Sequence, residues 1–190
     1  MRRPGRPRSP EADEAILSAT VEIFAAVGLE GLTVEAVAAR AGVGKATIYR
    51  RYPGKVDLAV AAVRCLTHGP AEPPDTGSTR GDLRELVDGL IAMLTTTPLG
   101  RVLPILVAAR TRATELDCAY AEIVAEKRFR SAAVVRRGIE RGELRADVDP
   151  ELVVDCYVSP IFYRFLITSA PLDDRFAAAV VDMTMRAFGA

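Results

Sequence analysis

The sequence predicts an all-α fold of about nine helices in two groups. Three observations carry this. Ala, Leu, Arg and Glu dominate, and alternating runs of strand type are short. Apolar residues recur instead at three- and four-residue spacing. Helix start signals built on Ser, Thr or Asp recur along the chain, with Gly at the far ends.

The elements follow in order. Ser9 caps a first helix, with Pro10 at its first position and Glu11, Asp13 and Glu14 on the positive end of the dipole. Leu17, Thr20, Val21, Phe24 and Val27 form its expected buried stripe, and Gly28 and Gly31 end it. Thr33 caps a second helix reaching Arg40. Gly42 supplies a positive φ for a sharp turn. A third helix is expected from Gly44 to about Tyr52, where Pro53 stops it. A fourth runs from Gly54-Lys55 to Leu66. His68 to Ser78, rich in Pro and Gly, reads as a break. Five helices are expected beyond it: Arg80–Thr96; Leu99–Arg112, with Pro104 inside; Leu116–Arg141, ended by Gly142; Pro150–Ser169, capped by Asp149; and one opened by Pro171-Leu172-Asp173 and ending near Phe188. The expected domains are a disordered basic arm at 1–8, a helix-turn-helix domain at 9–67 and a helical domain at 79–190.

Composition narrows the class. Of 190 residues, 49% are hydrophobic and 26% charged, enough to build a core and too apolar for a disordered chain. Net charge is zero, but residues 1–64 carry ten Lys and Arg against seven Asp and Glu. The remainder carries fifteen against eighteen. A basic end on a neutral chain suits a nucleic-acid partner. Cys65, Cys118 and Cys156 are odd in number and far apart, so a disulfide framework and zinc binding are both disfavoured. They read as small buried hydrophobes. The basic start lacks the apolar run of a secretory signal, and no stretch approaches eighteen apolar residues. A soluble cytoplasmic protein without cofactor or metal is expected.

The segment TVEAVAARAGVGKATIYRRYPGK, Thr33–Lys55, carries the chemistry. Two short helices around Ala41-Gly42-Val43 form a helix-turn-helix, whose second helix enters the DNA major groove. Val37, Ala38, Ala41, Val43 and Ile48 are small or apolar where the helices pack. That leaves Lys45, Thr47, Arg50 and Arg51 outside, with hydroxyls from Tyr49 and Tyr52 suited to phosphate oxygens. Lys55 opens the next helix, where its charge and the backbone N–H groups hold a phosphate. Gly42-Val43-Gly44-Lys45 is not a nucleotide-binding loop. That pattern needs Gly at position 39 and Ser or Thr after Lys45, where Ala39 and Ala46 stand. Pro4-Gly5-Arg6-Pro7-Arg8 either lays Arg6 and Arg8 in a minor groove or is a solvated terminus.

The run Glu11–Arg64 resembles the DNA-binding domain of TetR-family transcriptional regulators. The sharpest matches are Gly42-Val43, Thr47-Ile48-Tyr49, Tyr52-Pro53 and Lys55. The resemblance implies that Thr33, Tyr52 and Lys55 bind phosphate and that Lys45, Ala46, Thr47, Tyr49 and Arg51 face the groove. Two positions depart from the family pattern. Gly54 stands where Ser often caps the helix, and Arg51 where an aromatic or His is common. A free Arg51 would read guanine.

The resemblance further implies a homodimer formed by the last two helices, with a ligand cavity in the larger domain. Both segments are apolar around much of their circumference, which agrees. Burial within one subunit is the alternative. Candidate cavity residues are Met93, Leu103, Leu106, Val107, Tyr120, Ile123, Val124 and Tyr157, each also compatible with plain core packing. Catalysis lacks support, because His68 is the only histidine and lies in the break. The sequence reads as a repressor released from a palindromic DNA operator by a small apolar effector. The competing reading is a helical ligand-sensing or scaffold protein that does not bind DNA specifically.

Overall fold

The computed structural model describes residues 10–67 and 72–190. Among them are nine α-helices: α1 (Pro10–Gly31), α2 (Val34–Ala41), α3 (Lys45–Tyr49), α4 (Lys55–Thr67), α5 (Thr79–Thr96), α6 (Leu99–Ala109), α7 (Thr114–Glu140), α8 (Pro150–Tyr163) and α9 (Asp174–Phe188). A 3₁₀ turn, Arg110–Arg112, follows α6, and a π turn, Arg164–Thr168, follows α8. The fold is all-α, as the residue spacing predicts.

The described residues form two compact units. One joins the described part of residues 1–68 to Arg101–Tyr120, and the other joins the described part of residues 69–100 to Ala121–Ala190. The division therefore falls inside α6 and α7, not only at the polar break.

In the first unit α1 packs on α2 and α4, and α2 packs on α3. Ile16, Phe24, Leu32, Val37, Ile48 and Leu58 are fully buried there. Each such side chain stabilises the unit by roughly 1.5–3 kcal/mol relative to exposure. The buried face of α1 is Ile16, Ala19, Thr20, Val21 and Phe24. Leu17 is only half-buried, and Val27 is 54% exposed. The expected stripe therefore fails at both ends, and Gly28, at φ 68°, breaks the helix just after Val27. Helix α3 is also shorter than expected. After Tyr49 the N–H groups of Arg51 and Tyr52 both donate to the Ile48 carbonyl, which closes a tight turn instead of extending the helix.

In the second unit α9 packs on α5 and α8. Leu83, Val87, Val134, Val135, Val153, Tyr157, Ile161, Val180 and Val181 fill the core. Asp149 caps where the sequence placed it, accepting from the Glu151 N–H, and Asp173 accepts from the Phe176 N–H at the start of α9. Gly138 of α7 permits close approach to α5, since a Cβ there would lie 2.4 Å from Thr79 Oγ1. Asp82 is fully buried and ties the segment before α5 to α7. Its Oδ1 accepts from the Thr76 N–H at 2.5 Å and the Thr76 hydroxyl at 2.8 Å. Its Oδ2 accepts from Arg137 at 2.8 Å and Arg141 at 3.2 Å.

The cysteines differ from expectation. Cys65 and Cys118 are exposed and Cys156 is half-buried, all three as free thiols. Cys65 and Cys118 lie on outward positions of α4 and α7, so small apolar size alone did not place them in the core.

Candidate nucleic-acid interface

The helix-turn-helix is assembled from local signals. Thr33 has extended backbone, and its hydroxyl accepts from the Ala36 N–H at 3.1 Å, capping α2. Gly42 ends α2 at φ 66° and ψ 28°, a left-handed conformation that costs glycine little. Val37, Ala38 and Ile48 are buried between the helices, while Ala41 and Val43 are half-buried. Ile48 is the one buried residue of α3. The rest of the helix is therefore left at the surface.

Lys45, Ala46 and Arg50 are exposed, and Tyr49 is 51% exposed. Thr47 and Tyr52 are half-buried. Lys45 pairs with Glu35 of α2 at 2.9 Å, which holds the Glu35 carboxyl below its ordinary pKa and raises that of Lys45. Arg50 reaches the Thr47 hydroxyl at 3.4 Å. Lys55 is exposed at the start of α4, and its Nζ donates to the Glu30 carbonyl at 3.3 Å. Burial and the nearby Asp13 charge both push the Tyr52 phenol up.

Arg51 does not stand free, contrary to expectation. Its Nε lies 2.5 Å from Asp13 Oδ1 and its Nη1 donates to the Thr47 carbonyl at 3.4 Å. Spacing within the helix-turn-helix puts position 51 outside, but Asp13 is distant in sequence and only folding brings it there. Arg6 and Arg8 lie outside the described residues.

The eight candidate cavity residues are divided between the units. In the first, Leu103 and Leu106 are buried, while Val107 and Tyr120 are half-buried. The Arg110 guanidinium lies 4.6 Å from the Tyr120 ring centre. In the second, Ile123 and Tyr157 are buried, while Met93 and Val124 are half-buried. Burial pushes the Tyr157 phenol up to about 12 against a hydrogen bond with Ser131. No single helix among the described residues is long and apolar enough to cross a membrane.

A capped helix, a glycine turn and a five-residue helix rooted by one isoleucine define a helix-turn-helix protein of the DNA-binding class. The comparisons agree. Residues 16–62 match the family model described as bacterial regulatory proteins, tetR family. Residues 73–184 match a tetracyclin repressor-like C-terminal domain. The chain is 33% identical to the HTH-type transcriptional regulator YdeS of Bacillus subtilis strain 168, over 97% of this chain and 91% of that one. It is 30% identical to a DNA-binding transcriptional repressor TetR of Mycobacteroides abscessus, over 92% of each. The crystal structure of the TetR family transcription regulator SCO0332 superposes with a TM-score of 0.68 at 33% identity, covering 93% of this chain and 97% of that one. The chain belongs to the TetR family, and it is a DNA-binding transcriptional regulator.

Proposed function

We propose that the protein is a cytoplasmic, non-catalytic repressor that binds a palindromic operator as a homodimer and leaves it when a small apolar effector binds. The observation that carries the DNA-binding part is the exposed row Lys45, Ala46, Tyr49 and Arg50 on α3, rooted by buried Ile48. Thr33, Tyr52 and Lys55 flank it as phosphate contacts, and half-buried Thr47 lies in the same helix. The functional domains are the arm at 1–8, the helix-turn-helix domain at 9–67 and the helical domain at 79–190.

Dimerisation through α8, its π turn and α9 is supported by large apolar side chains left at the surface. These are Leu152, Tyr163, Leu166, Ile167 and Met183. Residues 152, 163 and 166 recur at helical spacing, as an isologous helix-pair contact requires. A two-fold dimer then presents its recognition helices about 34–36 Å apart. For the effector, the candidates of the second unit, Met93, Ile123, Val124 and Tyr157, supply apolar surface with one phenol group. Effector and DNA weaken each other by the same factor if each prefers a different conformation.

The test is a mobility-shift titration of the full chain against fragments of its own genome. Saturable shifts that survive excess random-sequence competitor support the regulator. No shift even at low salt favours the scaffold reading.

A further inference from the structure

Arg51 differs from every other basic side chain of the helix-turn-helix. Its side chain is 15% exposed, against 57% for Lys45. It spans two elements, touching Asp13 in the first turn of α1 and the Thr47 carbonyl in α3.

The state of α3 explains why this matters. Five residues hold almost no intrinsic helical stability, so tertiary anchors must orient the helix. Ile48 is one anchor, at the centre of its buried side. The last carbonyls of a helix also need donors. Ala46 and Ile48 receive backbone N–H groups from Arg50, Arg51 and Tyr52, and the Thr47 carbonyl receives the Arg51 guanidinium. Arg51 therefore holds that end by a hydrogen bond to the Thr47 carbonyl and by an ion pair with Asp13 on a neighbouring helix, a contact of charge without hydrogen-bond geometry.

We propose that Asp13 is a positioning residue for DNA binding, which through Arg51 clasps the C-terminal end of α3 to α1. The inference rests on the DNA-binding reading above. Arg51 is then spent inside the subunit, and base contact falls to Lys45, Thr47, Tyr49 and Arg50. An acid that only sits near the duplex predicts the opposite sign, because removing its charge relieves repulsion from phosphate.

The experiment compares the full-length protein with Asp13→Asn, Arg51→Gln and the double variant. The probe is a duplex selected from a random-sequence pool by the wild-type protein. Affinity is read by fluorescence anisotropy across a salt series, and amide hydrogen exchange at residues 50–52 is read without DNA. Each single variant should weaken binding about three- to tenfold, and the double variant no further than the weaker single. The salt slope should not change, and exchange at residues 50–52 should quicken in both single variants. Tighter or unchanged binding by Asp13→Asn overturns the proposal. So does a slope reduced by ~1 in Arg51→Gln, the mark of a lost phosphate contact. If Arg51→Gln fails to fold, Arg51→Met keeps the aliphatic stem and answers the same question. If no duplex is enriched, the DNA-binding reading fails, and exchange unchanged in Asp13→Asn separately removes the clasp.

Discussion

Tyr49 and Lys55 are exposed, so their removal should leave the core intact. Tyr49→Ala should weaken operator binding by about tenfold, as loss of one well-placed contact of roughly 1–3 kcal/mol does. Its thermal midpoint should stay at the wild-type value; a fall of many degrees would make Tyr49 structural. Lys55→Ala should weaken binding to all sequences alike and flatten the salt dependence by ~1 unit of slope. An unchanged slope would leave its charge committed to the Glu30 carbonyl. Gly42 carries a different lesson. No heavy atom lies within 4 Å of a Cβ added there, so a side chain meets only backbone strain at φ 66°. Gly42→Val should therefore destabilise the protein by about 1–2 kcal/mol in urea unfolding, and Gly42→Asn by less.

Between elements, the Asp82 cluster joins the segment Pro74–Thr76, α5 and α7. Burial pushes the Asp82 carboxyl up. Donors from the Thr76 backbone and hydroxyl and from Arg137 outweigh that effect, and its pKa falls below the ordinary carboxyl value. A depressed folded pKa gives stability that is complete above the unfolded value and is lost as pH falls through the folded one. Acidification below the usual carboxyl range should lower the thermal midpoint of the wild type more than that of Asp82→Asn. Parallel loss in both would take Asp82 out of the acid response. At neutral pH Asp82→Ala should destabilise by about 3 kcal/mol, because it leaves two arginines without their buried partner. Much of the local architecture was readable without coordinates. Thr33 and Asp149 cap where their types and neighbours said they would, since a cap is a contact across three residues or fewer. The end of α3 was not readable. Whether a helix stops at Tyr49 or Tyr52 depends on competition between Ile48 and Thr47 carbonyl acceptors and on Arg51, whose partner is remote in sequence.

For the whole molecule, assembly is the decisive quantity. Leu152 and Ile167 stand exposed, the latter at 69%, on the segment proposed to meet a second copy. Placing Glu at both should yield monomers by light scattering and weaken operator binding by more than either Tyr49→Ala or Lys55→Ala, since a two-fold site loses half its contacts. A double variant that remains dimeric would move the interface elsewhere. Core burial and surface exposure were separable along α8 and α9 only in part. Val153, Tyr157, Ile161, Val180 and Val181 point inward, yet the sequence shows them in the same apolar runs as Leu152 and Met183.

By itself the sequence determined the all-helical class, the order of the nine helices and the helix-turn-helix with its Thr33 cap and Gly42 turn. These follow from backbone preferences and short-range hydrogen bonds, which act over a few residues. Tertiary structure alone decided that Arg51 turns inward to Asp13, that Val27 lies at the surface and that α6 and α7 are shared between two compact units. Each is an outcome of packing between segments far apart in the chain, where direction depends on the fold and not on residue type.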